Sequence, residues 1–305
     1  MKIMKIGLID VDGHNFPNLP LMKISAYHKN VGDSVEWYEP LLSGHMDRVY
    51  MSKVFTFTPD YEYYIDADEI IKGGTGYSYP DGGQQLSDEI EHIYPDYTIY
   101  HDRIPKTRNT AYGFLTRGCP RGCDFCIVGK KEGLTARKVA DLSEFWNGQK
   151  NIVLLDPNMF ACKEWRELSD QLINSGAWVD LSQGCDIRIM TQEKADYIKR
   201  MKIKQIHFAW DRYEDKEIIV PKLKIFKEIT GWDKRKMGVF VLTNFNTTLE
   251  QDLDRVYTLR NLGYSPYIMI YNKQDVKRGS DLRRLQRWVN SRVAFAAVEK
   301  FEDFK

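Results

Sequence analysis

Apolar residues in the first hundred positions fall into short runs separated by amphipathic stretches. Residues 5–11 (KIGLIDV), 34–39, 48–55 and 69–72 are compact runs rich in Ile, Val and Tyr, the pattern of strands. Residues 19–30 and 85–93 place apolar side chains three and four apart, which is the helical period. Strands alternating with helices at this spacing predict a doubly wound parallel sheet of flavodoxin or Rossmann-like type. The stretch 100–110 (YHDRIPKTRNT) is polar, has no period and contains a proline, so the first domain is read as residues 1–105.

A second alternating series follows. Its β-rich runs lie at 112–115, 152–155, 178–181, 205–209, 238–242 and 267–270, with helical segments that include 139–146, 163–174, 193–201 and 249–262. Six such units over residues 106–275 predict a partial (β/α)6 barrel with its chemistry at the carboxyl ends of the strands. Residues 276–305 read as a helical tail, basic and aromatic. The expected class is therefore α/β, with a Rossmann-like domain, a partial barrel and a helical extension.

Composition narrows the partners more than the fold. The 305 residues carry 44 basic and 43 acidic side chains, and a net charge of +1 creates no global field toward nucleic acid or an anionic membrane. No apolar stretch approaches the ~18 residues of a spanning helix, and the opening run meets Asp10 too early for a signal-peptide core. A soluble, cytoplasmic protein without a membrane partner is expected.

Five cysteines is an odd number, and Cys119, Cys123 and Cys126 crowd into eight residues (CPRGCDFC). That is poor geometry for a secreted disulfide framework and natural for a metal site in a reducing compartment. Thiolates are the ligands of iron–sulfur clusters, and four irons on three thiolates keep one coordination site for an outside molecule. Two plainer readings stay open. One is zinc, which wants a fourth ligand where the nearest histidine, His101, lies in the linker; the other is cysteines that merely pack. Cys162 and Cys185 stand singly and read as bystander thiols.

On these three cysteines, with Phe125 at the aromatic position before the last, the chain resembles the radical S-adenosylmethionine superfamily over roughly residues 108–275. The resemblance implies a [4Fe-4S] cluster, S-adenosyl-L-methionine chelated at the open iron, and a reductant protein of flavodoxin or ferredoxin type. It also implies a 5′-deoxyadenosyl radical that takes hydrogen from a substrate the sequence does not identify. Where relatives often carry Gly-Gly-Glu after the second strand, this chain has LLDPNMF, which makes Asp156 and Asn158 the candidates there. Ribose contacts of the superfamily point to Asp211, Thr243 and Asn244. Gln183 and Arg188, deep at the third strand, join Asp211 as candidate catalytic residues, and each of these also reads as an ordinary cap or loop residue. His207, inside a strand, reads as a core histidine.

The first domain resembles the cobalamin-binding module of cobalamin-type radical enzymes. Asp12-Gly13-His14 follows the first strand where such modules place Asp-x-His-x-x-Gly, with Pro17 replacing the glycine. Gly73-Gly74 matches the glycine pair that lets a corrin ring or nucleotide tail approach the backbone. The resemblance thus implies His14, Gly73 and Gly74 as contacts of a bound cobalamin. The plain alternative is an Asx turn at Asp12 with His14 exposed and the domain serving as scaffold.

In the tail, Lys277, Arg278, Arg283, Arg284, Arg287 and Arg292 surround Trp288. Such a helix can contact nucleic acid, or it can pack Leu282, Leu285, Val289 and Phe295 and solvate its charges. The function expected is reductive cleavage of S-adenosylmethionine by a radical enzyme. Its alternatives are cobalamin-dependent radical methyl transfer and a non-catalytic metal-cluster protein that binds nucleic acid.

Overall fold

A computed structural model describes residues 2–13 and 15–305, which divide into two compact units, one ending at Val153 and one beginning at Leu154. The first unit opens with β1 (Lys5–Asp10), α1 (Leu19–Asn30), β2 (Ser34–Trp37), β3 (Met46–Ser52) and β4 (Ala67–Gly73). The four strands are parallel, in the order β2-β1-β3-β4. α1 begins where the sequence places it because Asn18 caps it, accepting a hydrogen bond from the Leu21 N–H at 3.3 Å, and Pro20 fits the first turn.

Only one face of this sheet is covered by a long helix. Ile6, Leu8, Leu21 and Ile24 form the core between the sheet and α1, with Leu86, Ile90 and Ile99 packed around it. On the opposite face Ile9, Tyr38, Val49 and Met51 are covered by Tyr61, Ile65 and Tyr77, which belong to connecting segments. The double winding read from the sequence is corrected there. The crossover 53–66 is rich in β-branched and aromatic residues and contains Pro59, so it runs from β3 to parallel β4 without the usual helix. The helix expected over 85–93 shrinks to one turn, α2 (Asp88–Glu91).

The first unit continues through β5 (Thr110–Gly113), β6 (Thr116–Arg117), α3 (Val128–Lys131), β7 (Arg137–Lys138) and the first three residues of β8 (Asn151–Leu154). β6 and β7 form a short antiparallel ribbon. Segment 139–146 is not the expected helix but an irregular strip with one 3₁₀ turn at Leu142–Glu144. Tyr97 holds it in place, donating from its hydroxyl to the Phe145 carbonyl at 2.7 Å and accepting from the Tyr112 N–H at 3.0 Å.

The second unit contains α4 (Trp165–Ser175), β9 (Trp178–Leu181), α5 (Gln192–Arg200), β10 (Lys202–Ile203), β11 (Ile206–Ala209), α6 (Lys216–Thr230), β12 (Met237–Thr243), α7 (Leu249–Leu262), β13 (Ser265–Ile270), α8 (Asp281–Asn290) and α9 (Arg292–Ala297). β9 pairs in parallel with β10, and β11, β12 and β13 form a parallel sheet in that order. One parallel bridge, Cys185 to Phe208, joins the two sets. The chain is α/β with parallel sheets, and each strand of the second unit's three-stranded sheet ends beside polar residues.

The tail packs. Leu285 and Trp288 are fully buried, with Phe295 and Phe301 against the indole at 5.0 and 5.8 Å. Arg260 lies over Trp288 at 5.1 Å, Arg284 over Phe301 at 4.2 Å, and Arg283 donates to the Val276 carbonyl at 3.2 Å. Two of its cations, Arg283 and Arg284, are thereby engaged inside the unit. No helix among the described residues is long and apolar enough to cross a membrane.

Candidate functional site

The three clustered cysteines sit on the loop that leaves β6. Glu132, on the far side of the loop, receives hydrogen bonds from the Arg117 guanidinium and the Gly118 N–H, each at 3.1 Å. The Cys119 N–H donates to the Gly133 carbonyl at 3.1 Å, and the Cys126 N–H folds back onto the Cys123 carbonyl at 2.9 Å. Gly118 adopts φ +84°, and a Cβ there would collide with the Thr135 carbonyl oxygen, so only glycine lets the two sides of the loop approach so closely. All three clustered cysteines are half-buried, whereas Cys162 and Cys185 are buried. Phe125 lies on the same loop, also half-buried. The ribbon of β6 and β7 that presents this loop was not expected; strands of two residues are too short for a periodicity signal.

The loop has a lid. Leu134 is 59% exposed, yet its Cδ2 lies where a Cβ on Gly122 or Gly129 would meet it at 3.2 or 3.1 Å, so it rests on both glycines. Among the described residues no group of three or more His, Cys, Asp or Glu side chains stands together at metal-ligating range. The donor set itself is three soft thiols on one short loop, the type that iron–sulfur clusters and zinc take.

In the second unit the structure gathers several of the sequence candidates. Arg188 is clamped between carboxylates, its Nε donating to Asp186 at 2.7 Å and its Nη1 to Asp215 at 2.6 Å. Asp211, two residues beyond β11, belongs to the same group: burial pushes its carboxyl up to about 6, against the pull of Arg188 and Arg255. Asp156 and Asn158 are buried and line a cavity of about 10 Å³, room for a single water, with Gly184 and Cys185. Thr243, fully buried at the end of β12, and Asn244, in the left-handed region at φ 63°, face β13; the Asn244 side chain donates to the Tyr271 carbonyl at 2.9 Å.

Gln183 does not lie deep as expected. β9 stops at Leu181, and the turn closed by the Gly184 N–H on the Leu181 carbonyl at 2.9 Å throws Gln183 out to the surface. His207 is half-buried and stacks on Phe240 at 4.6 Å, with its pKa lowered by burial. The residue that sequence reading missed is Arg255. It is wholly buried and donates to the carbonyls of Trp210 at 2.6 Å, Leu242 at 2.7 Å and Asp211 at 3.2 Å, binding the ends of β11 and β12 together. Its signal was available: Asp252 and Arg255 share the i, i+3, i+4, i+7 stripe with Val256 and Leu259, where charge is out of place.

Of the cobalamin contacts inferred for the first unit, Gly73 and Gly74 lie at the end of β4. The Asp12 carboxylate accepts from the Val54 and Phe55 N–H groups and from the Thr58 hydroxyl at 2.7 Å, which anchors the 54–58 loop. Gly74, at φ +97°, makes room for the Lys53 backbone, while Gly73 has open space; His14 lies outside the described residues. At the carboxyl end of β1, the Tyr100 hydroxyl donates to Asp10 at 2.6 Å and accepts from the Asn18 N–H at 3.1 Å. A wider groove of about 450 Å³, lined by Lys29, Tyr94, Asp96, His101 and Arg108, contains none of the sequence-predicted residues. Compared with known families and with curated proteins, the chain matches no family model and no curated sequence.

Proposed function

We propose that this chain is a radical S-adenosylmethionine enzyme whose [4Fe-4S] cluster is held by Cys119, Cys123 and Cys126. The observation that carries the reading is a single loop presenting three half-buried cysteines spaced four and three residues apart in sequence. The donor chemistry fits, and so does the backbone, which Gly118 and Glu132 hold in a tight wrap. Holding a cluster requires the sulfurs to converge, a closure of the loop that links cluster binding to local folding. When bound, the cluster supplies one electron and an open iron for the amino and carboxylate groups of S-adenosylmethionine.

The remaining roles belong to the protein's own side chains. Leu134 rests its side chain on Gly122 and Gly129 of the loop. Arg188, fixed by Asp186 and Asp215, presents a rigid fork, and Asp211 offers a carboxyl that accepts or donates hydrogen bonds according to pH around 6. In this reading residues 106–275 form the open (β/α)6 barrel of such enzymes, and the partners are a one-electron reductant protein and an organic substrate with an unactivated C–H bond.

The test is anaerobic purification and reconstitution with iron and sulfide, then dithionite and S-adenosylmethionine, with products read by mass spectrometry. About four irons per chain and formation of 5′-deoxyadenosine, both abolished in Cys123→Ala, are expected. Bound zinc without iron, or no 5′-deoxyadenosine from an iron-loaded protein, overturns the reading.

A further inference from the structure

The groove of about 450 Å³ in the first unit has no part in the roles given above. Its size is that of a small-molecule site, and so is its make-up, an apolar floor with a few polar groups around it. Ala26, Pro95 and Tyr97 line it and are buried, while Lys29, Tyr94 and Arg108 line it and are exposed. The Tyr94 ring is held in place before any ligand arrives. Its hydroxyl accepts from the Gln149 side-chain amide at 2.6 Å, and its ring meets that of Tyr97 edge-on, with centroids 5.7 Å apart. Tyr97 is fixed in turn through the Phe145 carbonyl and the Tyr112 N–H. A ring immobilised in this way, yet 38% exposed, can stack on a ligand at little further cost in side-chain entropy.

The charges of the groove are unequally engaged. Asp96 lines it, but its carboxylate already accepts from the Ser25 hydroxyl at 2.7 Å, the Lys29 ammonium at 2.6 Å and the Thr98 N–H at 3.0 Å. That pair takes one of the three donors of Lys29. Arg108 gives one N–H from Nη2 to Asp102 at 2.9 Å, and the Asp102 side chain is 98% exposed, so water screens the pair. Both cations therefore keep donors for a ligand, whereas the carboxylate of the groove is engaged. Cations with donors to spare suit an anion, and the Tyr94 face suits a planar ring; a nucleoside monophosphate carries both. We propose that this groove binds a free mononucleotide, with its phosphate on Lys29 and Arg108 and its base on Tyr94. A nucleic-acid strand fits less well, because a single groove offers no track for successive phosphates and a chain of net charge +1 has no field to gather a polyanion. Neither the clustered cysteines nor a cluster on them enters into this site.

Titration calorimetry of the full-length protein with adenosine monophosphate tests this. Binding is expected to weaken as salt rises from about 50 to 200 mM, and adenosine, which lacks the phosphate, to bind about tenfold or more weakly than the nucleotide. Lys29→Gln/Arg108→Gln is expected to weaken nucleotide binding about tenfold or more. Tyr94→Leu is expected to weaken it about tenfold, while Tyr94→Phe keeps the ring and most of the affinity. Circular dichroism checks the fold of each variant, and the comparison of nucleotide with adenosine needs no variant at all. Cys123→Ala, which removes a cluster ligand, is expected to bind the nucleotide as the wild type does, so failure of the cluster reading and failure of this site are separate results. No heat from the nucleotide at about 1 mM, equal affinity for adenosine, equal binding by Lys29→Gln/Arg108→Gln, loss of binding in Cys123→Ala, or tighter binding of a short single-stranded RNA than of the mononucleotide overturns the proposal.

Discussion

Arg255 and Asp252 lie one turn apart on α7 and form an ion pair with neither side chain exposed to solvent. The guanidinium also holds the carbonyls that close β11 and β12. Burial raises the Asp252 pKa, with Arg255 pulling it back down. Replacing Arg255 by leucine strands a buried carboxylate and frees three carbonyls, a loss of about 3–5 kcal/mol. The double variant Arg255→Leu/Asp252→Leu removes the stranded charge and is less destabilised than Arg255→Leu alone. Urea denaturation of the wild type, Arg255→Leu, Asp252→Leu and the double variant measures this coupling; strict additivity would refute it.

Asp211 gives stability a definite dependence on pH. Its folded pKa is raised from 3.8 to about 6 by burial, so between these values the folded state holds a proton that the unfolded chain has released. Its contribution is therefore present below about pH 4, is lost as pH rises through 6, and is an unfavourable buried charge above that. Asp211→Asn is expected to match the wild type near pH 4 and to exceed it in denaturation midpoint at pH 8. The reverse ordering at pH 8 would show that Arg188 and Arg255 outweigh the burial.

Two glycines of the cysteine loop separate conformational strain from collision. Gly133 and Gly118 both have positive φ, at +91° and +84°, but a Cβ on Gly133 meets nothing within 4 Å whereas one on Gly118 strikes the Thr135 carbonyl. Gly133→Ala should cost about 1–2 kcal/mol, the left-handed penalty alone. Gly118→Ala should cost more and increase the rate at which Ellman's reagent modifies the loop thiols. Equal thiol reactivity in the two variants would count against the role given to Gly118.

Trp288 anchors the tail. With the indole fully buried among Phe295, Phe301 and Tyr257, Trp288→Ala is expected to lose about 3–5 kcal/mol. Arg278→Ala, at an exposed position, should lie within about 0.5 kcal/mol of the wild type. Thermal melts of both variants decide between a packed tail and a peripheral one.

The sequence was most readable where local and tertiary signals agree. α7 begins at the Thr248–Gln251 capping box and ends at Gly263 with φ +77°, so its bounds, Leu249–Leu262, follow from local chemistry. It misled where apolar spacing had another cause. Val139, Leu142 and Phe145 repeat every third residue like a helix, but Val139 hydrogen bonds to the Leu115 carbonyl at 2.8 Å and the Phe145 ring fills the space that Gly113 leaves. α6 runs on through Pro221, which interrupts its apolar pattern in the sequence. The spacing of the cysteine loop was evident from the sequence alone, whereas the exposure of Gln183 and the carbonyl-holding role of Arg255 depend on where chains from distant positions end.

β4 is the outermost strand of its sheet, and Asp68, Glu69, Ile70 and Lys72 on it are exposed. Ion pairs within the unit, Glu69 with Arg48 at 2.6 Å and Lys72 with Asp60 at 3.0 Å, hold two of its charges in place. A second copy adding its own β4 in register would set like charges opposite one another and break these pairs. This border thus resists parallel, in-register addition of a second copy by repulsion between like charges.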